Sequence, residues 1–423
     1  MNYNNSLDFA REMDNNDPLG HYRSRFHLPL QASGSPYIYL CGNSLGLAPK
    51  STKSALEQEL IDWANLGVEG HFYAKNPWMP YHEFLTDKMA KIVGAKPKEV
   101  VVMNTLTVNL HLMMVSFYRP TPKRHKIIIE YSAFPSDQYA VKSQIEFHGY
   151  NPEDALIELH PREGETTLRT EDILETIGRE GDSVALILLG GVNYYTGQFF
   201  DLKSIVEAGH QKACVVGFDL AHAVGNVPLS LHEWGVDFAV WCTYKYLNSG
   251  PGSVAGCFVN ERHHKNNDLP RFAGWWGHDK ETRFLMPPDF KPIPTAEGWQ
   301  LSNPPILSLA AIKASLEIFD EVGMQALRKK SLLLTDYFLF LISELDNPNI
   351  EVITPMEQSQ RGCQLSIKVV NSNKMLFDTI TKKGVIADWR EPDVIRVAPV
   401  PLYNSFEDVF KFVLILKEGL EVL

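Results

Sequence analysis

The 423-residue sequence is poor in the features that would mark several common protein classes. It has five cysteines, an odd number with no CxxC pair, which argues against a disulfide framework and for reduced, mostly buried thiols. No Gly-Lys dipeptide occurs, so a Walker A loop is excluded. Basic residues are too few for a phosphate-binding face: the net charge is −11, and a nucleic-acid partner is not expected. The most membrane-like run, `SLLLTDYFLFLISEL`, is interrupted by Asp336 and is too short to span a bilayer. The N-terminal `MNYNNSLDFAREMDNND` has no apolar signal core, and a cytoplasmic protein is expected. Neither `HEWGV` nor `HEFLT` carries the second histidine of a zinc-protease motif, and `RHHK` reads as a solvated turn. `SGPGSVAG` has glycines at dinucleotide-like spacing, but it does not open a first βαβ unit. Repeats and low-complexity segments are absent.

What is present is an ordinary globular composition, 44% hydrophobic and 22% charged, in a chain long enough for more than one domain. `HKIIIEY`, `VALILLGGV`, `ACVVGFDLAHA` and `DFAVWCTY` are near-continuous apolar runs, the pattern of parallel strands covered on both faces. Helical patterns such as `RTEDILETIGRE` lie between them, giving an α/β layer whose ligands gather at the carboxyl ends of the strands. A helical stretch from Pro304 to Leu345 is expected to break near Gly323, and `IEVITP`, `CQLSIKVV` and `VIRVAPV` follow as shorter strands. The reading is a large domain with a mainly parallel sheet over 56–305, then a linking helix and a smaller α+β domain over 306–423. Residues 1–55 are expected to pack with the small domain.

The strand ends carry chemistry. `VVGFDLAHA` delivers Asp219 and His222, `VWCTYKY` delivers Tyr244 and Lys245, and `IIIEYSAFPSDQY` places Phe134, Ser136 and Asp137 in a loop. `VVMNTLTVNLHLMM` offers Thr105 and Thr107 where a strand gives way to a helix, an anion site. Each residue also has a plain structural reading: Asp219 and Thr107 as helix caps, Tyr244 as core packing, His222 as a satisfied structural histidine, Lys245 snorkelling to solvent. Together they suit pyridoxal phosphate. A lysine in a partly apolar pocket is held as the neutral amine that forms a Schiff base. Asp219 would keep the pyridinium nitrogen protonated, Phe134 would stack on the ring, and the `NTLT` turn with Tyr244 would meet the phosphate.

With those residues in view, `ALEQELIDWANLGVEGHF`, `NTLTVNLHLMM`, `AFPSDQYA`, `GVNYYTGQFFDL`, `FDLAHAVGNVPLSLHEWGVDFAVWCTYKYLNSGPG`, `AGWWGH`, `LSNPPIL`, `RGCQLS` and `IRVAPVPLYNSFEDV` resemble kynureninase, in order from `YLCGNSLG` to the last helix. The resemblance implies a homodimeric pyridoxal-5′-phosphate enzyme of the aspartate-aminotransferase fold (fold type I). It implies hydrolysis of L-kynurenine or 3-hydroxy-L-kynurenine to the corresponding anthranilate and L-alanine, in tryptophan catabolism and NAD biosynthesis.

It also implies roles. Lys245 carries the cofactor and acts as base, Tyr244 donates a proton, and Leu106 and Thr107 meet the phosphate. Tyr244, Trp275 and Asn303 add hydrogen bonds, the last two from the partner subunit. Phe134, Ser136 and Asp137 wall the ring; Asp219 and His222 hold its far side. His71 and Ser302 line the substrate's aromatic end, which favours the 3-hydroxy substrate, and Arg396 binds the α-carboxylate through a planar fork. Plain readings remain for these as well: Asn303 as a helix N-cap before `PP`, His71 as a solvated turn residue, Trp275 as buried contact area. Gly190 stands where a serine is frequent, and Thr243 replaces a common serine. The rival readings are a cysteine desulfurase-like lyase on the same fold and a non-catalytic cofactor-binding protein.

Overall fold

The computed structural model describes residues 2–266, 268–370 and 374–421. Among the described residues thirteen strands follow in chain order: β1 (Ile38–Tyr39), β2 (Val100–Val102), β3 (Lys126–Glu130), β4 (Leu156–Leu159), β5 (Val184–Gly190), β6 (Val215–Asp219), β7 (Phe238–Trp241), β8 (Gly256–Val259), β9 (Ile350–Val352), β10 (Leu365–Val369), β11 (Val385–Ile386), β12 (Asp388–Arg390) and β13 (Val394–Val397). A seven-stranded sheet has the order β2-β8-β7-β6-β5-β3-β4; its pairs are parallel from β7 through β4, and β8 runs against both neighbours. The four apolar runs read as parallel strands are β3, β5, β6 and β7. β5 is buried along nearly its whole length because helices cover both faces, with an apolar cluster on each side of the sheet.

Local chemistry explains the elements that frame the strand ends. Helix Thr170–Glu180 buries Ile173 and Ile177, one turn apart, and leaves its charges outside. The long helical stretch divides into Ile306–Val322 and Met324–Ser343 at Gly323, whose φ of +77° suits glycine. Pro305 rather than Asn303 precedes the first of these helices, so the capping role open to Asn303 is not used. Among the described residues no helix is long and apolar enough to cross a membrane.

Strands β9, β10, β12 and β13 form a separate antiparallel sheet with its own apolar cluster. N-terminal residues lie beside it: β1 and β11 pair in a two-stranded parallel sheet of their own, and Cys41 bridges to Ala398 just past β13. Helix Leu7–Asn15 packs on helix Phe406–Leu420, and Asp14 accepts from the Phe406 and Glu407 backbone N–H groups at 2.7 and 3.0 Å. A carboxylate is favoured at a helix N-terminus, where unpaired N–H groups point outward.

`RHHK` is not a solvated turn. His264 is buried, and Arg262 and His263 reach back to the carboxylate of Asp237. The carboxylate is the reason: at 4% exposure Asp237 needs partners.

Candidate active site

A cavity of about 210 Å³ opens at the carboxyl ends of β3, β5, β6 and β7 and is closed on its far side by β12 and β13. Lys245 reaches it just past β7. The turn that carries Lys245 is fixed on several sides: Thr243 donates to Val254 O at 2.7 Å, Ser315 donates to Leu247 O, and Gly46 N–H donates to Tyr244 O at 2.8 Å. Lys245 Nζ lies 2.8 Å from His222 Nε2 and 5.8 Å from the centre of the Phe134 ring. Burial lowers the Lys245 ammonium, against the pull of Cys242 and Asp219. Burial, then the charges of Lys245, Arg396 and Arg390, hold His222 well below the usual histidine range, so it is neutral.

Asp219 ends β6 with Oδ1 accepting from Ala221 N–H at 2.8 Å. Asp137 lies against it in a carboxyl–carboxyl hydrogen bond. Burial raises both carboxyls, the charge of Asp219 adding to the rise at Asp137 while the Ala221 N–H and Lys245 oppose it at Asp219, so the two titrate as one pair sharing a proton. Phe134, Ser136 and Asp137 are not in a loop. Pro135 opens helix Pro135–Phe147, so Phe134 precedes the helix and the other two stand in its first turn.

Leu106 and Thr107 begin helix Leu106–Phe117 directly after β2. The tight entry is held by Asn104, at φ +51°, whose amide meets Asn109, while Asn109 Nδ2 donates to Met103 O at 2.9 Å. Thr107 Oγ1 and Ser136 Oγ are 2.8 Å apart, so two helix N-termini and two hydroxyls converge on one corner of the cavity. That corner suits a phosphate. Tyr244 lines the same cavity with its hydroxyl against Cys242; burial raises it far above the usual phenol range.

Opposite stands Arg396, 1% exposed, donating from Nη1 to Tyr194 O at 2.5 Å and from Nη2 to Asp388. Its Nε has no partner among the described residues. Arg390 shares Asp388 at 3.0 Å and also lines the cavity.

Of the residues expected from sequence, Leu106, Thr107, Phe134, Ser136, Asp137, Asp219, His222, Tyr244, Lys245 and Arg396 meet here. His71, Trp275, Ser302 and Asn303 do not line this chain's cavity. His71 sits on the short helix Gly70–Tyr73 against Val68 O, Trp275 is 41% exposed, and Ser302 and Asn303 are exposed. Sequence reasoning passed over Glu130, Tyr194, Arg390 and Asp388. Glu130 had a readable signal: it ends `KIIIE` as Asp219 ends `VVGFD`. Arg390 and Asp388 had none, since `ADWREPDV` has no apolar rhythm to mark a strand end.

The residues present fit pyridoxal phosphate. An anion corner, the Phe134 ring, the Asp219–Asp137 carboxyl pair and a lysine with a depressed ammonium line one cavity. Buried polar atoms around it lack protein partners, including His222 Nδ1, Asp137 Oδ1, Glu130 Oε2 and Arg396 Nε. Such atoms are rare in a finished interior and point to a bound polar group.

Residues 327–416 match the model of the kynureninase C-terminal domain. The chain is 60% identical over 411 residues to a kynureninase of Koribacter versatilis, covering 97% of each protein. It is 50% identical over 431 residues to that of Mus musculus, covering 97% of this chain and 93% of that protein. Among solved structures, the cysteine desulfurase CsdA from Escherichia coli superposes with a TM-score of 0.77 at 16% identity, over 96% of this chain and 99% of that one. The apo cysteine desulfurase from Thermococcus onnurineus gives 0.75 at 16%, over 92% and 95%. At such identity these structures establish the fold, which is fold type I, and the relatives at full length establish the family. The chain belongs to the kynureninase family.

Proposed function

We propose that the chain hydrolyses L-kynurenine, 3-hydroxy-L-kynurenine or both, to anthranilate or 3-hydroxyanthranilate plus L-alanine, with pyridoxal 5′-phosphate on Lys245. This places it in tryptophan breakdown. The observation that carries the reading is the meeting of Lys245 with neutral His222 at 2.8 Å, in the cavity that also holds the Asp219–Asp137 pair.

Bound there, the cofactor supplies an electron-withdrawing ring that accepts the electron pair released beside the substrate amine. The protein does the rest. Leu106, Thr107 and Ser136 hold the phosphate at the two helix N-termini. Asp219, paired with Asp137, would hold the ring nitrogen in its protonated form. Phe134 covers one face, and Arg396 takes the α-carboxylate with its unspent donors. Lys245, poised as a neutral amine, removes the α-proton. Water then adds to the γ-carbonyl carbon, the Cβ–Cγ bond breaks, and the anthranilate leaves as its carboxylate. The β-carbon takes a proton, for which the un-ionised Tyr244 hydroxyl is the donor, and Lys245 returns a proton to the α-carbon to complete L-alanine.

Two observations weigh against the desulfurase reading. Tyr244, not a histidine, precedes Lys245, and burial pushes the thiols of Cys41 and Cys363 up to about 11 and about 12, leaving neither as a nucleophilic thiolate. The test is turnover of both kynurenines against cysteine, with borohydride reduction and mapping of the labelled peptide. Label on `TYKY` with anthranilate release is expected. Label on another lysine, or sulfide from cysteine, defeats the reading.

His71, Trp275, Ser302 and Asn303 belong, in this proposal, to the partner's site in a homodimer. Exposed Trp63, Val68, Phe72, Trp275 and Leu307 lie on or beside the same segments. Trp276 N–H bonds Leu301 O at 3.2 Å and helix Ser51–Leu66 packs on helix Ile306–Val322, which joins those segments into one apolar face. Mixed dimers of Lys245→Ala with Trp275→Ala/Asn303→Ala regain activity if sites are shared, and stay inactive if not.

A further inference from the structure

Three strands end side by side at the cavity: β3 in Glu130, β5 in Gly190 and β6 in Asp219, with Gly190 and Asp219 paired in register. The Glu130 carboxyl lies close against the space that a Cβ on Gly190 would take. Oε1 lies 3.1 Å and Oε2 3.7 Å from that position. Glu130 therefore folds over the bare end of β5. Oε1 accepts from Asn193 Nδ2 at 3.3 Å, and Asn193 is itself pinned, its Oδ1 accepting from the Tyr195 and Thr196 N–H groups at 3.0 and 2.8 Å. Oε2 is buried with no partner among the described residues, on a residue only 4% exposed. A carboxyl left half-satisfied at such depth is costly unless a bound group completes it.

We propose that Glu130 is a further cofactor-positioning residue: across the gap left by Gly190, its free oxygen hydrogen-bonds the ring bound on Lys245, in place of the hydroxyl that a serine at 190 would bring. This rests on the cofactor reading above. Burial, with the charge of Asp219 behind it, pushes Glu130 up to about 8, so it carries a proton at neutral pH. Since Oε1 already accepts from Asn193, the proton belongs on Oε2, and the acid acts as a donor. The charged and titratable groups facing it are Asp219 from β6, Asp137 from helix Pro135–Phe147 and Tyr194 from the segment after β5.

The experiment measures cofactor affinity by absorbance after dialysis, and the pH titration of the bound cofactor's absorption band, with borohydride mapping to Lys245 as control. Glu130→Ala is expected to weaken cofactor binding about five- to tenfold, the size of one buried hydrogen bond. Adding Gly190→Ser to Glu130→Ala should recover most of that loss by restoring a donor in the vacated space. Glu130→Gln keeps a donor and the shape, so it covers the case where the alanine variant does not fold. Its affinity should stay within about twofold of wild type, while the absorbance transition on the alkaline side of neutrality disappears. Unchanged affinity in Glu130→Ala, no recovery on adding Gly190→Ser, or an alkaline transition that persists in Glu130→Gln overturns the proposal. If the label is not on Lys245, it is the cofactor reading that fails.

Discussion

Asp219 ends β6 and Asp237 stands just before β7, so these neighbouring strands carry a buried acid at opposite ends of one sheet. Asp237 is surrounded by partners: Arg262, His263 at 2.7 Å, His210 at 3.0 Å and the Val216 N–H at 2.8 Å. Those partners, overcoming burial, hold its carboxyl far below the usual range. Glu99, before β2 at the same end, is likewise met by His232 and by the backbone N–H groups of Lys96 and Glu261. At the carboxyl end the acids are raised rather than lowered, Glu130 to about 8, and six of the side chains lining the cavity have a buried polar atom with no partner among the described residues. The difference teaches where function lies. At one end the buried acids are saturated and serve the fold; at the other partners are withheld so that a bound group can supply them.

Removing the central group of the unsaturated end should have the largest effect on activity and little on the fold. Lys245→Met is expected to lower turnover by at least about 10³-fold, since both covalent attachment and base catalysis are lost. The melting temperature of the cofactor-free protein should stay level or rise, because a buried amine is no longer desolvated. A large drop in melting temperature would break the comparison by making Lys245 a structural residue.

Asp237→Asn reverses that pattern. It should cost on the order of 2 kcal/mol of stability, a figure kept low because Arg262 is partly exposed, and leave the cofactor's absorption unchanged. The pH dependence sharpens it. Asp237's folded value is depressed, so its contribution is present above the unfolded carboxylate value and is lost as pH falls through the folded one. Glu130's folded value is raised, so its contribution is complete below the unfolded value and declines as pH rises toward about 8. In cofactor-free protein, Asp237→Asn should flatten the acid limb of the stability curve and Glu130→Gln the decline between mildly acidic and mildly alkaline pH. Urea unfolding across pH measures both, and equal slopes in the two variants would erase the distinction.

The parallel strands, the helix break at Gly323 and the polar residues closing strand patterns were legible in the sequence, because each rests on local periodicity or a backbone constraint. Lys245 and Asp219 stood out for the same reason: charge directly after an apolar run. Arg390 and its partner Asp388 were not legible, since Arg390 reaches the cavity only when β12 and β13 fold back over the large sheet. The roles of `RHHK` and Asp237 were hidden likewise, because β8 runs against β7 and returns residues 262–263 to the start of its neighbour. His71, Trp275, Ser302 and Asn303 came from family resemblance alone, and one chain does not bring them to its own cavity.

Arg396 tests the comparison where it is least obvious, because this residue has features of both ends. It is fully buried and ion-paired to Asp388, like the saturated cluster, yet its Nε is unpartnered and it faces the cavity. Arg396→Lys keeps a charge for Asp388 but gives up the second arm on Tyr194 O and the free Nε–H. If Arg396 belongs to the functional end, the loss falls on substrate: KM should rise about tenfold, the value of one good charge-assisted hydrogen bond, with the cofactor's absorption and the melting temperature little changed. If it belongs with the saturated end, the melting temperature should fall while KM stays put, because the group left wanting would be the protein's own Asp388 and Tyr194. Measuring both quantities in the one variant assigns the residue. A fall in stability without a rise in KM would move the carboxylate site away from Arg396, leaving Arg390 as the other guanidinium in the cavity able to take it.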